Sequence, residues 1–346
     1  MFPEYVKFHY DSFADVYPDS IAQAMKDVYK QLYKGYRNRQ RKISIKTDKS
    51  LISEKDVVYI CRRLYYDTPS FFFVDTSSYI CYETQSGYMF IRDFLYSDEE
   101  IDELERRILA GLKAFTEAYI KPGMSDYEKE KTIHNYLVHN ISYDYDAIKS
   151  EETRAANRQA YNIVGPLLQK KGVCMGIACT FKLLCDYVRV KCFVISGDTR
   201  PYEKNSNGHA WNVVKLDGET YHVDVTWDLR TKGDMSCIYD YFNLDDHLMG
   251  FDHKWDDPIY PACNALAYNY HNRNKLYVRS LAQISDYVKR KVLSGRTYIT
   301  FKFAGKMPSE EAIYDEVRKG VRAAGCNKMY YRMINMTTHN IYIEFR

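Results

Sequence analysis

The strongest constraint on the fold of this chain is Asp217-Gly218, which separates two runs of alternating apolar and polar residues. Asp-Gly is a preferred dipeptide in two-residue β-hairpin turns, because both of its residues tolerate a positive φ. The sequence therefore predicts an antiparallel hairpin with strands over residues 209–214 and 221–227.

One face of this hairpin carries polar side chains that need partners. With Asp217-Gly218 as the loop, His209 and Asp224 are diagonal neighbours on one face, within reach of an imidazole–carboxylate hydrogen bond. Because an unpaired polar group on a largely apolar hairpin is costly, we expect the two side chains to bind each other. His222 shares this face but lies nearer the turn, so His209 is the preferred base.

A cysteine upstream of the hairpin has the surroundings of a reactive thiol. Cys174 lies in the first turn of a predicted helix and shares its buried stripe, which is formed by Ile177, Phe181, Leu184 and Val188. The positive N-terminal end of a helix favours a thiolate and lowers the pKa of a cysteine. Gly172 and Gly176 flank the thiol and are expected to let a substrate backbone approach it. Taken alone, the segment fits a small buried cysteine slightly better than a nucleophile, and the predicted histidine–aspartate pair reverses that preference.

Together, these three side chains predict a thiol catalytic triad. Cys174 would attack an amide carbonyl as a thiolate, and His209 would hold the proton and return it to the leaving amine. Asp224 would orient the imidazole and stabilise its charged form. Backbone N–H groups at the start of the Cys174 helix would bind the developing oxyanion.

The sequence around these residues resembles the transglutaminase-like superfamily, the papain-related thiol enzymes that include transglutaminases, peptide N-glycanases and many bacterial cysteine-protease-like proteins. The resemblance runs from about residue 101 to residue 264. Three blocks carry it, and they contain the cysteine, the histidine and the aspartate in that order: 172–178, 208–212 and 222–228.

This resemblance implies an α+β protein with a papain-like core, in which the cysteine helix packs on an antiparallel sheet. The implied reaction is acyl transfer from a peptide or glutamine amide to the cysteine, and then to an amine or to water. The resemblance also implies a second oxyanion donor upstream of the cysteine, for which Tyr143, Tyr145 and Tyr161 are candidates. Trp211 and Gly176 are further candidates for contact with the substrate or the oxyanion.

Two other functional classes stay open. One is a catalytically idle scaffold or peptide-binding module, because related folds lose the triad. The other is a zinc protein that uses cysteine and histidine. His247 and His253 lie near several aspartates, but their spacing suits no standard zinc site, so neither a metal nor a cofactor is expected. The expected partner is a protein or peptide substrate, with a cell-wall peptide as one candidate, and the oligomeric state is left open.

Composition excludes other classes. The net charge is only +3, from 49 basic and 46 acidic residues, which gives no reason to expect nucleic acid as a partner. No apolar run reaches the ~18 residues of a membrane span. Residues 1–10 lack the features of a signal peptide, so we expect a cytoplasmic protein, or a secreted one whose signal has been removed. Nine cysteines without a CxxC pair predict reduced thiols.

The chain is predicted to have three parts: an N-terminal α/β region (1–96), the catalytic domain (97–265) and a C-terminal α/β region (266–346). Helix and strand patterns recur in the same order in the two flanking regions, so the C-terminal region is a candidate degenerate repeat of the N-terminal one. In the N-terminal region, helices are predicted over 21–32 and 54–65, and strands over 42–46, 71–74, 79–82 and 88–94. In the C-terminal region, helices are predicted over 281–292 and 310–323, and strands over 298–303, 329–333 and 340–345.

Overall fold

The structure is a computed structural model that describes residues 13–199, 208–231, 238–336 and 338–345. It is an α+β protein, as predicted, and a five-stranded antiparallel sheet lies at its centre. Eight of the nine cysteines fall within the described residues, and these eight are free thiols. Within the same ranges, no helix has both the length and the hydropathy needed to cross a membrane.

The N-terminal region is a three-stranded antiparallel sheet, in the order β1-β3-β2, packed against helices. The strand predicted over 71–74 is wrong: Pro69–Phe71 is a turn of 3-10 helix, and Val74 makes only an isolated bridge to Phe94. A short apolar run has no periodicity that distinguishes a strand from a buried turn. The elements are α1 (Phe13–Val16), α2 (Asp19–Arg37), β1 (Lys42–Lys46), α3 (Glu54–Asp67), β2 (Ile80–Thr84) and β3 (Gly87–Ile91).

The central part begins with two helices that start at capping boxes, Ser97 with Glu100 and Ser125 with Glu128. Its sheet has the order β10-β6-β7-β8-β9. Its helices are α4 (Asp98–Tyr119), α5 (Asp126–Asn140), α6 (Glu151–Ala156), α7 (Cys174–Tyr187), α8 (Val225–Thr231) and α9 (Asp246–Met249). Its strands are β4 (Ser142–Tyr143), β5 (Lys171–Gly172), β6 (Lys191–Thr199), β7 (His209–Leu216), β8 (Glu219–Val223), β9 (Phe242–Leu244) and β10 (His253–Lys254).

The predicted hairpin forms with the predicted register. Leu216 pairs with Glu219, and the two loop residues have φ values of 50° (Asp217) and 94° (Gly218). The second strand is shorter than predicted, because β8 ends at Val223 and α8 begins two residues later. Strand β6, which precedes the hairpin, extends to Thr199, and residues 200–207 lie outside the described residues.

Helix α7 packs on β6 and β7, the arrangement implied for a papain-like core. The buried Asn212 side chain ties the layers together, because its Nδ2 donates to the carbonyls of Ala178 in α7 (3.0 Å) and Phe193 in β6 (3.2 Å). A single apolar core extends from the N-terminal region through α4, α5 and α7 to the central sheet.

The C-terminal region has an apolar core of its own and a four-stranded sheet in the order β11-β12-β14-β13. Without β11, its last two helices and three strands follow the same chain order and strand order as α2 to β3. The three-part division and the duplication stay predictions. The elements are α10 (Tyr270–Arg273), β11 (Tyr277–Val278), α11 (Leu281–Leu293), β12 (Tyr298–Phe303), α12 (Glu310–Ala323), β13 (Tyr330–Asn335) and β14 (Asn340–Phe345).

Candidate active site

The predicted nucleophile, Cys174, is the first residue of α7 and is half-buried. The residue before it, Val173, offers no side-chain acceptor to the helix. The first N–H groups of a helix have no intrahelical partner. The start of α7 therefore presents backbone donors beside the sulfur, at the end of the helix that favours negative charge.

His209 and Asp224 are brought together as predicted, although by a different route. His209 Nε2 lies 2.6 Å from Asp224 Oδ2. Asp224 is not in a strand: its Oδ1 accepts the Trp227 N–H at 3.0 Å, which makes it the N-terminal cap of α8. Its own N–H donates to the carbonyl of Tyr241 at 2.8 Å. Since Nε2 of the imidazole faces Asp224, Nδ1 is left to face the thiol.

The pKa shifts describe a charged pair. Burial raises the pKa of Cys174, but a hydrogen bond and the charge of His209, with the Ala210 N–H, outweigh it and leave the pKa below its usual value. Burial lowers the pKa of His209, but the charge and hydrogen bond of Asp224 and the thiolate raise it to about 10. The pKa of Asp224 is lowered, because the nearby histidines outweigh the effect of its burial. The favoured form is therefore thiolate, imidazolium and carboxylate.

Trp211 and Tyr161, the candidates for contact with the substrate or the oxyanion, both lie near the triad. Trp211 is buried, its indole N–H donates to His222 Nδ1 (3.1 Å), and its ring stacks on His209. Tyr161 donates its hydroxyl to the Ala147 carbonyl (3.0 Å). Burial raises the pKa of Tyr161, and the nearby Cys174 sulfur raises it further.

Gly176 has a role that differs from the one expected. A Cβ on Gly176 would lie 2.2 Å from the Ala160 carbonyl oxygen and 2.9 Å from that of Asn162. At Gly172, a Cβ would lie 2.6 Å from Pro166 Cγ. The space beside both glycines is therefore filled by the chain's own residues, so the expected approach of a substrate at these positions is corrected.

The remaining upstream tyrosines lie side by side. The rings of Tyr143 and Tyr145 are 4.9 Å apart. Tyr143 packs on the small apolar cluster that includes Val173, whereas Tyr145 is 52% exposed.

Three residues that the sequence did not single out for the triad lie directly behind it. His253 Nε2 is 3.1 Å from Asp224 Oδ2, and His253 Nδ1 is 2.7 Å from Asp252 Oδ1. The Tyr241 hydroxyl donates to Asp252 Oδ2 at 2.6 Å. The aspartate–histidine dipeptide between aromatic segments is the sequence signal for this group.

His222, the alternative base, has a hydrogen-bond partner at each of its ring nitrogens. Its Nδ1 accepts the Trp211 indole N–H, so its Nε2 carries the proton and donates to Asp246 Oδ1 at 2.8 Å. That N–H bond occupies the lone pair that a metal would need. His222, Asp246 and Cys263 form a group whose side-chain N, O and S atoms lie within 4.8 Å of one another.

The contacts between the two imidazoles and Asp224 have the lengths of hydrogen bonds. Ligand atoms around tetrahedral zinc, with bonds of ~2.0–2.1 Å, lie about 3.3 Å apart. His209 Nε2 and His253 Nε2 are 2.6 Å and 3.1 Å from the same carboxylate oxygen, which are hydrogen-bond distances.

Comparison with known proteins bears on the part of the chain that holds these residues. Residues 113–225 match the family model of the transglutaminase-like superfamily. This stretch of the chain is transglutaminase-like. The predicted resemblance is thus confirmed, and the matched range contains Cys174, His209 and Asp224 but ends before His253.

Two relatives share part of this region. Kyphoscoliosis peptidase of Mus musculus is 28% identical over 127 residues, covering 35% of this chain and 18% of that protein. The protein of the same name from Homo sapiens is 27% identical over 138 residues, covering 37% and 20%. The chain thus aligns with about a fifth of the length of these relatives. A solved structure described as a TGase is 13% identical with a TM-score of 0.30, covering 44% of this chain and 45% of that one.

Proposed function

We propose that this transglutaminase-like protein is a thiol enzyme that forms an acyl-Cys174 intermediate from a peptide or glutamine amide. The observation that carries the proposal is the placement of Cys174 at the start of α7 beside His209, whose other nitrogen is 2.6 Å from the buried Asp224. A thiolate next to an imidazolium held by a carboxylate is the form that acyl transfer by a cysteine requires.

The proposed first half-reaction needs only these groups. The Cys174 thiolate adds to the amide carbonyl, and N–H groups at the start of α7 bind the oxyanion. The tetrahedral intermediate collapses as His209 Nδ1–H protonates the departing amine. This step breaks the C–N bond and leaves a thioester and a neutral imidazole.

The second half-reaction regenerates the thiolate. An amine or water attacks the thioester, the neutral His209 accepts its proton, and the C–S bond breaks. With an amine the products are crosslinked, whereas with water they are hydrolysed. The named relatives are called peptidases, which supports testing hydrolysis first.

Thiol reactivity tests the proposal before any substrate is known. We expect iodoacetamide to alkylate Cys174 at pH 6 at least tenfold faster than the other seven cysteines of the described residues, because a histidine holds the pKa of Cys174 below its usual value. Cys174→Ala should abolish the rapid phase, and His209→Ala should slow it by at least tenfold. Cys179→Ala is the matched control in the same helix, since burial raises the pKa of Cys179 to about 12, and it should leave the rapid phase unchanged. A wild-type protein with no rapid phase at pH 6 would refute the triad.

The reaction itself is tested with a peptide library and a fluorescent primary amine. Incorporation of the amine that depends on Cys174 identifies transglutamination, and new peptide termini identify proteolysis. A rapid thiol that gives neither product across the library, with no loss of ammonia from glutamine peptides, would favour an idle scaffold instead.

A further inference from the structure

A closed ring of hydrogen bonds lies behind the candidate triad. It consists of Asp224, His253, Asp252 and Tyr241, and we call it the Asp224 ring. His253 bridges the two carboxylates, at 3.1 Å from Asp224 Oδ2 and 2.7 Å from Asp252 Oδ1. The Tyr241 hydroxyl donates to Asp252 (2.6 Å), and the Tyr241 carbonyl accepts the Asp224 N–H (2.8 Å). All four residues are buried.

The ring constrains the protonation of His253. A neutral imidazole has one N–H, whereas carboxylate oxygens only accept. Both carboxylates also receive other donors: the Trp227 N–H on Asp224 and the Tyr241 hydroxyl on Asp252. These donors favour the ionised carboxylates. The form of His253 that satisfies both of its contacts is therefore the doubly protonated imidazolium.

Aromatic rings and titratable side chains of the described residues surround this histidine. The aromatic rings of Trp211, Trp227 and Tyr241 pack around its own ring at centroid distances of 5.1, 4.5 and 5.5 Å. His209 lies 5.4 Å away, ring to ring, and the charge of His253 also lowers the pKa of His222, chiefly set by burial. Among the described residues, the titratable groups around His253 come from the residue before β10, from the hairpin and the cap that follows it, and from the segment before β9: Asp252, His209, His222, Asp224 and Tyr241.

We propose that His253 is a positioning residue that fixes the Asp224 carboxylate and keeps it ionised, so that Asp224 stabilises the His209 imidazolium without taking its proton. The inference rests on the proposed function. Asp224 Oδ2 accepts from both imidazoles, at 2.6 Å from His209 Nε2 and 3.1 Å from His253 Nε2. Without that donor, a buried carboxylate would bind a proton more readily. Transfer of the His209 proton to Asp224 would then weaken the ion pair and raise the pKa of Cys174.

Two substitutions of His253 distinguish a side chain that donates a hydrogen bond to Asp224 from one that only fills the space. A glutamine amide reaches the place of a histidine Nε2, whereas an asparagine amide reaches only that of Nδ1. The rate at which iodoacetamide alkylates Cys174 falls in acid, and we call this part of the pH profile the acid limb. In His253→Asn we expect the acid limb to move up by about one pH unit, so that the rate at pH 6 is about tenfold lower than in the wild type. His253→Gln should remain within about threefold of wild type. At pH 10 all three rates should converge, because the thiolate is then formed in each.

A second variant keeps the histidine in place, in case His253→Asn does not fold. Asp252→Asn removes the charge that holds the second proton on His253, and it should move the acid limb in the same direction by a smaller amount. Equal thermal unfolding of the variants and the common rate at pH 10 exclude general damage. A folded asparagine variant that moves by less than about 0.3 unit, or a glutamine variant that moves as far, would overturn this role.

The two proposals fail in different ways. A wild-type protein in which Cys174 is not alkylated rapidly at pH 6 refutes the triad, and the role of His253 with it. A wild-type protein with rapid alkylation at pH 6, combined with variants at position 253 whose rates depend on pH as the wild type does, refutes only the role of His253.

Discussion

Asp224 serves two elements through its two carboxylate oxygens. Oδ1 caps α8 by accepting the Trp227 N–H, and Oδ2 accepts from His209. The cap explains why β8 ends at Val223, since a residue that starts a helix cannot continue the strand. The same carboxylate therefore fixes the local chain path and the charge beside the imidazole.

Asparagine and alanine at this position should separate the two roles. Asparagine caps helices about as well as aspartate, so Asp224→Asn retains the cap and removes the charge. The pKa of His209 should then fall from about 10, the imidazolium should be less populated, and alkylation of Cys174 at pH 6 should slow by at least tenfold. Asp224→Ala should also lose about 1 kcal/mol of unfolding free energy relative to the asparagine variant. Iodoacetamide rates and urea unfolding measure the two effects, and an unchanged rate in Asp224→Asn would contradict the electrostatic role.

At the scale of elements, α7 approaches the 3-10 turn Arg158–Tyr161 so closely that only glycine fits at the contact. The Ala160 carbonyl also accepts the Val173 N–H at 3.0 Å, which anchors the residue before Cys174. The turn therefore sets the position of the helix end that carries the thiol.

Two helical glycines provide a matched test of this contact. In Gly176→Ala, a Cβ would lie 2.2 Å from backbone, which cannot move aside as a flexible side chain would. We expect a loss of about 1–3 kcal/mol of unfolding free energy. In Gly111→Ala, on the exposed side of α4, a Cβ meets nothing within 4 Å, so a gain of about 0.5–1 kcal/mol is expected. Urea unfolding of both variants measures these changes. If Gly176→Ala has the same unfolding free energy as the wild type, the 3-10 turn moves to make room for the added methyl group.

The elements could be predicted where the signal is local. The capping boxes before α4 and α5, the turn at Asp217-Gly218 and the strand 298–303 all depend on neighbouring residues. The predicted length of β8 was wrong, because the alternation of apolar and polar residues continues past Val223, whereas Asp224 caps a helix. His253 was not assigned to the triad, because its contact with Asp224 depends on how β10 returns to the edge of the sheet.

At the scale of the whole molecule, buried polar groups join parts that are distant in the sequence. Asp240 is fully buried and accepts from Asn335 (2.5 Å), Asn340 (2.7 Å) and Tyr342 (2.8 Å) of the C-terminal region. The next residue, Tyr241, belongs to the Asp224 ring. The C-terminal sheet therefore helps to fix the segment that closes behind the candidate site, and no local pattern predicts such a contact.

A second buried acid, Glu130 in α5, gives the folded molecule a pH dependence of its own. Burial raises its pKa from 4.5 to about 8, although its Oε2 accepts from Asn243 Nδ2 at 3.0 Å. Within the described residues, its Oε1 and the Asn243 Oδ1 have no hydrogen-bond partner. Between about pH 4.5 and pH 8, the folded state binds this proton more tightly than the unfolded state, so its contribution to stability falls as the pH rises.

Glu130→Gln should remove this dependence, since an amide stays neutral and retains an acceptor for Asn243. The variant and the wild type should have similar unfolding free energies at pH 4.5. At pH 9 the variant should be more stable by on the order of 3 kcal/mol, because the wild type must then bury a charge or take up a proton. Glu117→Gln, on the exposed face of α4, is the control and should follow the wild type within about 0.5 kcal/mol at both values. Urea unfolding across this range measures the difference, and parallel curves for Glu130→Gln and wild type would mean that Glu130 is charged in the folded protein at neutral pH.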